Sequence, residues 1–251
     1  MATPPIRFAI NGAHGRMGQA VARVLDEARL PITARFDKGE TQDLTQADAI
    51  IDFSTPEASL ALLDACAAEG LSRPRPLVHI IGSTGFNDYQ EAQVAAHADQ
   101  VVIIKSGNFS LGVNLLAGLV KQASARLSAL DWDIEVTEAH HKRKVDAPSG
   151  TALMLGEAAA FGRNTRLGDV KVTARDGITG PRGLGDIGFS VVRAGGIVGE
   201  HSVIFASEDE ILTLSHSARD RTLFARGAIQ AALWGRKQTA GLYDMQDVLG
   251  M

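Results

Sequence analysis

The segment EAHHKRKVDAPSGTA, residues 138–152, gathers the groups best suited to chemistry. His140 and His141 stand beside Lys142, Arg143 and Lys144, and Pro148 and Ser149 precede an alanine-rich helical run. Ser149 is a good N-cap, and Gly150 and Thr151 would present backbone N–H groups at the positive end of the helix dipole. A helix start and several cations together exceed what one carboxylate needs, and they suit a small dianion. A histidine among cations should hold its proton less tightly, which suits an acid that must release it. The plainer alternative is a solvated basic loop. No metal is expected. Adjacent histidines on an extended segment point to opposite faces, and no Cys or His at ligand spacing accompanies them. Of the other histidines, His14, His79, His97 and His216 read as turn, strand or surface residues, and His201 is ambiguous.

A second constellation lies near the start. AINGAHGRMGQA carries Gly12, Gly15 and Gly18 between an apolar strand and a helical pattern. Glycines at such a turn let the backbone approach a pyrophosphate, and the helix start supplies N–H donors. Ala13, His14, Arg16 and Met17 complete the loop, with Arg16 able to add charge to a phosphate. Asp37 follows the second strand about 20 residues on, where a dinucleotide site places a carboxylate for the ribose hydroxyls. The spacing is GxxGxxG rather than the commoner GxGxxG. Lys38 follows Asp37. A carboxylate favours NAD and a cation the 2′-phosphate of NADP, so both NADH and NADPH are expected to bind, although Lys38 also reads as a solvated loop lysine. Two further small-residue turns end strands of the same region: GSTGF, with Gly82, Ser83 and Thr84, and SGNFSLGVN, with Ser106, Gly107, Asn108 and Phe109. Plain turn chemistry explains each singly. Three such turns on one sheet edge are better explained by a ligand outside the carboxyl ends of the strands.

The elements that must position these groups follow from hydrophobic patterning. Short apolar runs at 6–10, 31–37, 47–53, 76–81 and 100–105 alternate with helical patterns at 17–28, 57–70 and 88–98. That order predicts βαβ units and a parallel sheet covered on both faces. After residue 110 come a long helix, an alternating strand at 131–139, and four alternating segments between about Val170 and Ser217: VKVTARD, IGFSVVRA, EHSVIFAS and EILTLSHSA. These predict a mixed sheet. A helix at 221–235 and a short tail close the chain. The expected fold class is α/β: an N-terminal Rossmann-like, doubly wound parallel sheet over 1–109, with 218–251 packing back onto it, and a C-terminal α+β domain over 110–217.

Composition narrows the class. The chain has 251 residues, a net charge of -4, 45% hydrophobic and 22% charged residues, as in ordinary globular proteins. The mild acidity argues against nucleic acid as a partner. No apolar run approaches the roughly 20 residues of a membrane span, and no signal-peptide layout opens the chain, so a cytoplasmic location is expected. The single cysteine, Cys66, lies in an apolar helical pattern and reads as a core residue.

These motifs resemble those of the 4-hydroxy-tetrahydrodipicolinate reductase (dihydrodipicolinate reductase) family of the diaminopimelate branch of lysine biosynthesis. The resemblance runs nearly end to end. GAHGRMG resembles the family's cofactor loop, GSTGF its GTTGF turn, SGNFSLGVN its (A/S)xNFSxGVN segment, and EAHHKRKVDAPSGTA its central motif almost letter for letter; RAGGIVGEH and GLYDMQDVL also fit. The resemblance implies that His140 is the proton donor or acceptor, Lys144 a second proton donor, and His141 a substrate contact. Gly150 and Thr151, beside the Ser149 cap, would hold a substrate carboxylate. Gly12 to Met17, Asp37, Gly82 to Thr84 and Ser106 to Phe109 would line the cofactor. The implied reaction takes hydride from NADH or NADPH to C4 of a six-membered cyclic imine dicarboxylate, with loss of water, and the implied assembly is a homotetramer built through the second domain's sheet. Three departures stand out. The loop after Asp37 is short where many members carry an insertion, His14 replaces a small residue, and Ser83 stands where Thr is usual. A semialdehyde dehydrogenase would share the cofactor lobe but needs a nucleophilic cysteine, which Cys66 is badly placed to provide. A nucleotide-sensing module would share the lobe without needing His140 and Lys144.

Overall fold

The computed structural model describes residues 5–251, which divide into two units: residues 5–111 with Arg221–Met251, and Gly112–Asp220. In the first unit, β1 (Phe8–Asn11), α1 (Arg16–Glu27), β2 (Ile32–Phe36), β3 (Ala49–Asp52), α2 (Pro56–Gly70), β4 (Val78–Ile81), α3 (Asp88–Ala96) and β5 (Val102–Lys105) follow in order. The second unit starts within α4 (Leu111–Arg126) and continues through β6 (Asp133–His140), α5 (Gly150–Gly162), α6 (Leu167–Val170), β7 (Lys171–Val172), β8 (Ile187–Arg193), β9 (Gly199–Ala206) and β10 (Ile211–Ala218). The chain then returns to the first unit with α7 (Thr222–Gly235), β11 (Gly241–Tyr243) and α8 (Met245–Leu249).

The first sheet has six strands in the order β11-β5-β4-β3-β1-β2, and every pairing is parallel. Its central strands are apolar on both faces because both faces are covered. Phe8, Ile10, Ile51, Ile80 and Ile104 meet α1 and α7 on one side, against Val21, Val24, Leu25 and Ala228. Ala9, Ile50, Ile81 and Ile103 meet α2 and α3 on the other, against Leu62, Leu63, Cys66 and Val94. Helix starts are marked locally. Thr55 caps α2 ahead of Pro56, and an Asn87–Gln90 capping box opens α3. The closing tail is more than a tail. Residues 241–243 add an edge strand to β5, and an Asp244–Asp247 capping box starts α8. Three residues of strand are too few for a periodic signal, so only the neighbouring β5 specifies them.

The second sheet is mixed, in the order β10-β9-β6-β8-β7: β6, β8 and β7 run parallel, and β9 and β10 antiparallel. One face carries Ile134, Val136, Ile187, Phe189, Val203 and Phe205 against α4 and α5, so β6 alternates buried and less buried positions along its length. Elsewhere on this sheet Val191, Val192, Ile211 and Leu212 are exposed. The VKVTARD segment forms a strand only at Lys171–Val172. Beyond it the chain leaves the sheet through Gly177, Gly180 and Gly185, all at positive φ, while Arg175 and Arg182 anchor the loop on Glu135. Side-chain ion pairs here replace the ladder that the alternating pattern predicted.

The helix α7 lies against the β5–α4 turn at a glycine. A Cβ at Gly227 would stand 1.6 Å from the carbonyl oxygen of Phe109, so neither backbone has room for one. Gly227→Ala, despite the better helix propensity of alanine, is expected to lower the stability of the first unit by about 1–3 kcal/mol. The chemical-denaturation midpoint reads this, and an unchanged midpoint would show that the contact yields.

Candidate active site

The carboxyl ends of β1, β3, β4 and β5 converge on Phe53. Gly12, at φ +72°, comes so close to Phe53 that a Cβ would lie 3.0 Å from its carbonyl oxygen, and a Cβ at Gly82 would overlap its ring. The Phe53 ring meets Phe109 edge-on at 5.9 Å, and a Cβ at Gly107 would touch Thr84 at 3.8 Å. The three small-residue turns of the sequence therefore share one sheet edge. Beside them lies a cavity of about 790 Å³ lined by Gly12, Gly15, Asp37, Lys38, Glu40, Phe53 and the start of α2. Gly15 caps α1 without a side-chain hydrogen bond, and no acidic residue stands in the first turn. A helix start of this kind is open to a phosphate. Gly18 lets the helix lie on the turn, since a Cβ there would be 2.2 Å from the Gly12 carbonyl oxygen. The cradle therefore fits a dinucleotide.

The expected cofactor residues do not all serve alike. The Asp37 carboxylate accepts the amide N–H groups of Lys38 and His14 at 2.9 and 3.1 Å, and these hold its pKa below the ordinary value. The His14 ring lies 3.5 Å from the same carboxylate and is largely exposed. His14 and Ala13 also line a separate 540 Å³ cavity with Arg23 and Arg35. Arg16 is exposed, while Met17 packs on the core. Ser83 is buried and shares a 2.9 Å hydrogen bond with Ser59, so its hydroxyl ties the turn to α2. The Ser106 hydroxyl donates to the Asn108 carbonyl at 2.8 Å and accepts its amide, which folds that turn on itself. Below Gly12 sits a network the sequence did not reveal. Asn11 accepts the Gly12 amide and donates to the fully buried Asp52, which also binds Ser54 and His79.

In the second unit, His140 ends β6 with its side chain mostly buried. Its Nδ1 lies 2.6 Å from Oε2 of Glu138, two residues back on the same strand face. Arg193, at the end of β8, grips both Glu138 oxygens at 2.7 and 2.8 Å, and the Ser149 amide donates to Oε1 at 2.9 Å. Burial alone would raise the Glu138 pKa, but these hydrogen bonds from Arg193, His140 and Ser149 outweigh it and bring it down to about 2. An ionised Glu138 can only accept, so Nδ1 of His140 carries the hydrogen, and Nε2 is the nitrogen outside this contact. Nε2 sits beside Gly199, where a Cβ would stand 3.1 Å away. The His201 ring packs edge-on to His140 at 5.0 Å. Burial and then His140 lower its pKa to about 4, which keeps His201 neutral.

The cationic stretch is arranged differently from expectation. The ionised neighbour of His140 is a carboxylate, and Lys144 pairs with Asp146 at 2.8 Å. Lys144 is one of the charges acting on His201. The Ser149 hydroxyl caps α5 by accepting the Ala152 amide at 3.2 Å and also reaches Nε2 of His201 at 3.2 Å. Gly150 and Thr151 form the first turn of α5, which holds no acidic residue. His141 follows on the loop, partly exposed.

Comparison with known proteins bears on this pairing of a dinucleotide cradle with a carboxylate-held histidine. The family model described as "Dihydrodipicolinate reductase, N-terminus" matches residues 6–109, and "Dihydrodipicolinate reductase, C-terminus" matches residues 112–249. The 4-hydroxy-tetrahydrodipicolinate reductase of Caulobacter vibrioides is 59% identical, over 98% of this chain and 98% of its own. The enzyme of that name from Rhizobium rhizogenes is 48% identical, over 100% of this chain and 99% of its own. The chain belongs to the dihydrodipicolinate reductase family. Among solved structures, a dipicolinate-bound dihydrodipicolinate reductase from Paenisporosarcina sp. TG-14 shares the fold with a TM-score of 0.75, at 22% identity over 97% of this chain and 99% of that one. Among the described residues, no cluster of His, Cys, Asp or Glu is grouped to hold a metal, and no helix is long and apolar enough to cross a membrane.

Of the residues now seen around this reductase's histidine, sequence reading missed Glu138 and Arg193 and left His201 ambiguous. Glu138 had a signal: it lies two residues before His140 on an alternating strand. Arg193 opens the RAGGIVGEH motif, but nothing in the sequence pairs it with Glu138, which is 55 residues away.

Because Glu138 titrates lower in the folded than in the unfolded chain, its pairing stabilises the fold above about pH 4.5, and that stability is lost as pH falls towards 2. Glu138→Gln is expected to flatten the decline of melting temperature in that window and to cost about 3–5 kcal/mol at neutral pH by leaving Arg193 without its charge partner. Parallel pH–melting curves for wild type and variant would remove Glu138 from the account.

Proposed function

We propose that the protein reduces 4-hydroxy-tetrahydrodipicolinate to tetrahydrodipicolinate, with loss of water, using NADH or NADPH. Membership of the family and near full-length likeness to reductases of that name support the reaction. The observation that carries the mechanism is the Glu138–His140 pair beside the start of α5. The first unit would hold the cofactor, and the second the cyclic dicarboxylate.

When bound, the nicotinamide cofactor supplies the hydride. The remaining work falls to residues of the chain. Gly12, Gly15 and the α1 start would hold the pyrophosphate, and Asp37 the ribose hydroxyls. The turns at Gly82 to Thr84 and Ser106 to Phe109 would border the nicotinamide ring. Gly150 and Thr151 receive one substrate carboxylate at the α5 start, with His141 and the basic loop beside it. Loss of the 4-hydroxyl as water gives a conjugated imine, and hydride addition at its C4 would leave electron density that a proton must quench. His140 supplies that proton from Nε2, with Glu138 orienting the ring through Nδ1. Lys144 is the second donor. Its pairing with Asp146 would open when a substrate carboxylate competes for the ammonium.

A nucleotide-sensing module has no use for a buried, ion-paired histidine, and a semialdehyde dehydrogenase would need a thiolate. Cys66 is fully buried, and burial raises its thiol far above the ordinary value. The exposed Val191, Val192, Ile211 and Leu212 support assembly as a homotetramer through the second sheet. A cytoplasmic location accords with one buried, unpaired cysteine.

The test follows NADH and NADPH absorbance with substrate generated in place from pyruvate and aspartate semialdehyde by the preceding synthase. Oxidation that requires the complete mixture supports the reductase, and binding of both cofactors without consumption would overturn it. His140→Gln should lower kcat by about 10²- to 10⁴-fold with little change in cofactor Kd. Lys144→Ala should lower kcat/KM for the dicarboxylate while NADPH still binds, and normal kinetics would remove Lys144 from the mechanism.

A further inference from the structure

The cofactor cavity has an uneven charge lining. Asp37, Glu40 and Glu57 face it, against the single cation of Lys38. The turn after β2 is built from two of these carboxylates. Glu40 folds back so that its Oε2 accepts the Asp37 amide at 2.8 Å, while Asp37 accepts the amides of Lys38 and His14. Glu40 is thereby held by a backbone donor of its own turn, and Asp37 by one from that turn and one from the glycine loop, so neither can rotate away without giving up a hydrogen bond. Glu57 is held separately, by the amide of Gln90 at 3.1 Å. Lys38 contributes only its backbone to this arrangement, and its side chain, like that of Glu40, is exposed.

A ribose 2′-hydroxyl and a 2′-phosphate ask opposite things of this corner. The hydroxyl is a donor, and a fixed carboxylate is its natural acceptor. The phosphate brings close to two negative charges and only acceptor oxygens. Here it would meet two fixed carboxylates in place of the arginine fork that suits it. One exposed lysine does not balance them.

We propose that Glu40, acting with Asp37, makes this site discriminate against the 2′-phosphate, so that the protein binds NADH in preference to NADPH. The proposal rests on the assignment of this cavity to the cofactor. Glu40 reads the adenosine ribose as a second fixed negative charge, and its position depends on the short loop between Asp37 and β3. Both cofactors still bind, but with unequal affinity.

Fluorescence titration of the substrate-free protein with NADH and with NADPH tests this without any turnover. NADH should bind at least about tenfold more tightly. The ratio of the two Kd values should shrink as salt rises from about 0.01 M to about 1 M, because the screening length falls from about 30 Å to about 3 Å. Glu40→Gln is the decisive variant. Its amide oxygen can still accept the Asp37 N–H, so the turn keeps its hydrogen bond while the charge is removed. The variant should tighten NADPH severalfold more than NADH, with an unchanged melting temperature as the check on folding. If that variant fails to fold, the salt dependence of the wild-type ratio decides alone. Equal Kd values, tighter NADPH, or a ratio indifferent to both salt and Glu40 would overturn the proposal. Absence of binding by either nucleotide would overturn the cofactor assignment itself, and this proposal with it.

Discussion

A carboxylate whose side chain is fully buried organises the second unit of this protein. Glu138 is buried in the second unit, and an isolated charge there would be driven to take up a proton. It stays ionised because donors reach it from three directions: the guanidinium at the end of β8, the imidazole further along its own strand, and the backbone amide that opens α5. Each of those contacts also fixes something else. Arg193 donates to the Asp146 carbonyl as well, so the loop carrying Lys144 is tied to the same point. The Ser149 amide sets where α5 begins, and therefore where its positive end points. The imidazole is left with one nitrogen outside this pairing. Buried ion pairs are poor stabilisers when compared with apolar packing. Here the pair's use lies in the geometry it imposes.

The first unit solves its problem with backbone instead. Its ligand-facing surface is made of glycines, turn amides and a helix start. Side chains work one layer beneath, where Phe53 joins the ends of four strands and Asp52 gathers Asn11, Ser54 and His79 under the glycine turn. A polyanion with a long, flat shape is well served by many weak, fixed dipoles. A small dicarboxylate that must also receive a proton needs a few strong side chains whose protonation is controlled.

Much of this was legible in the sequence, and what was missed follows a pattern. Strands β1, β3, β4 and β5 announced themselves as apolar runs because both faces of the sheet are covered. The segment 138–152 displayed its histidines, cations and helix start together because all of them lie within 15 residues. Where the reading erred, distant residues had intervened. VKVTARD alternates like a strand, but Glu135 draws Arg175 and Arg182 into a loop. GLY, residues 241–243, has almost no pattern, yet β5 offered an open edge for it. His140 was expected to feel cations, because Lys142, Arg143 and Lys144 are its neighbours along the chain. In space its neighbour is Glu138.

The sequence by itself determined which local structures form and which chemical groups are available. Periodicity, caps and glycines act over a few residues, and the amino-acid types alone state that a dinucleotide turn and a cationic, histidine-bearing helix start are present. Only the tertiary structure decided the protonation and aim of those groups. The tautomer of His140, the ionised state of Glu138 and the pinned carboxylates of Asp37 and Glu40 depend on distances of about 3 Å between partners, and the neutrality of His201 depends first on burial. Arg193 meets Glu138 across 55 residues of chain, and a field that falls off with distance in space carries no trace of that meeting in the order of the letters.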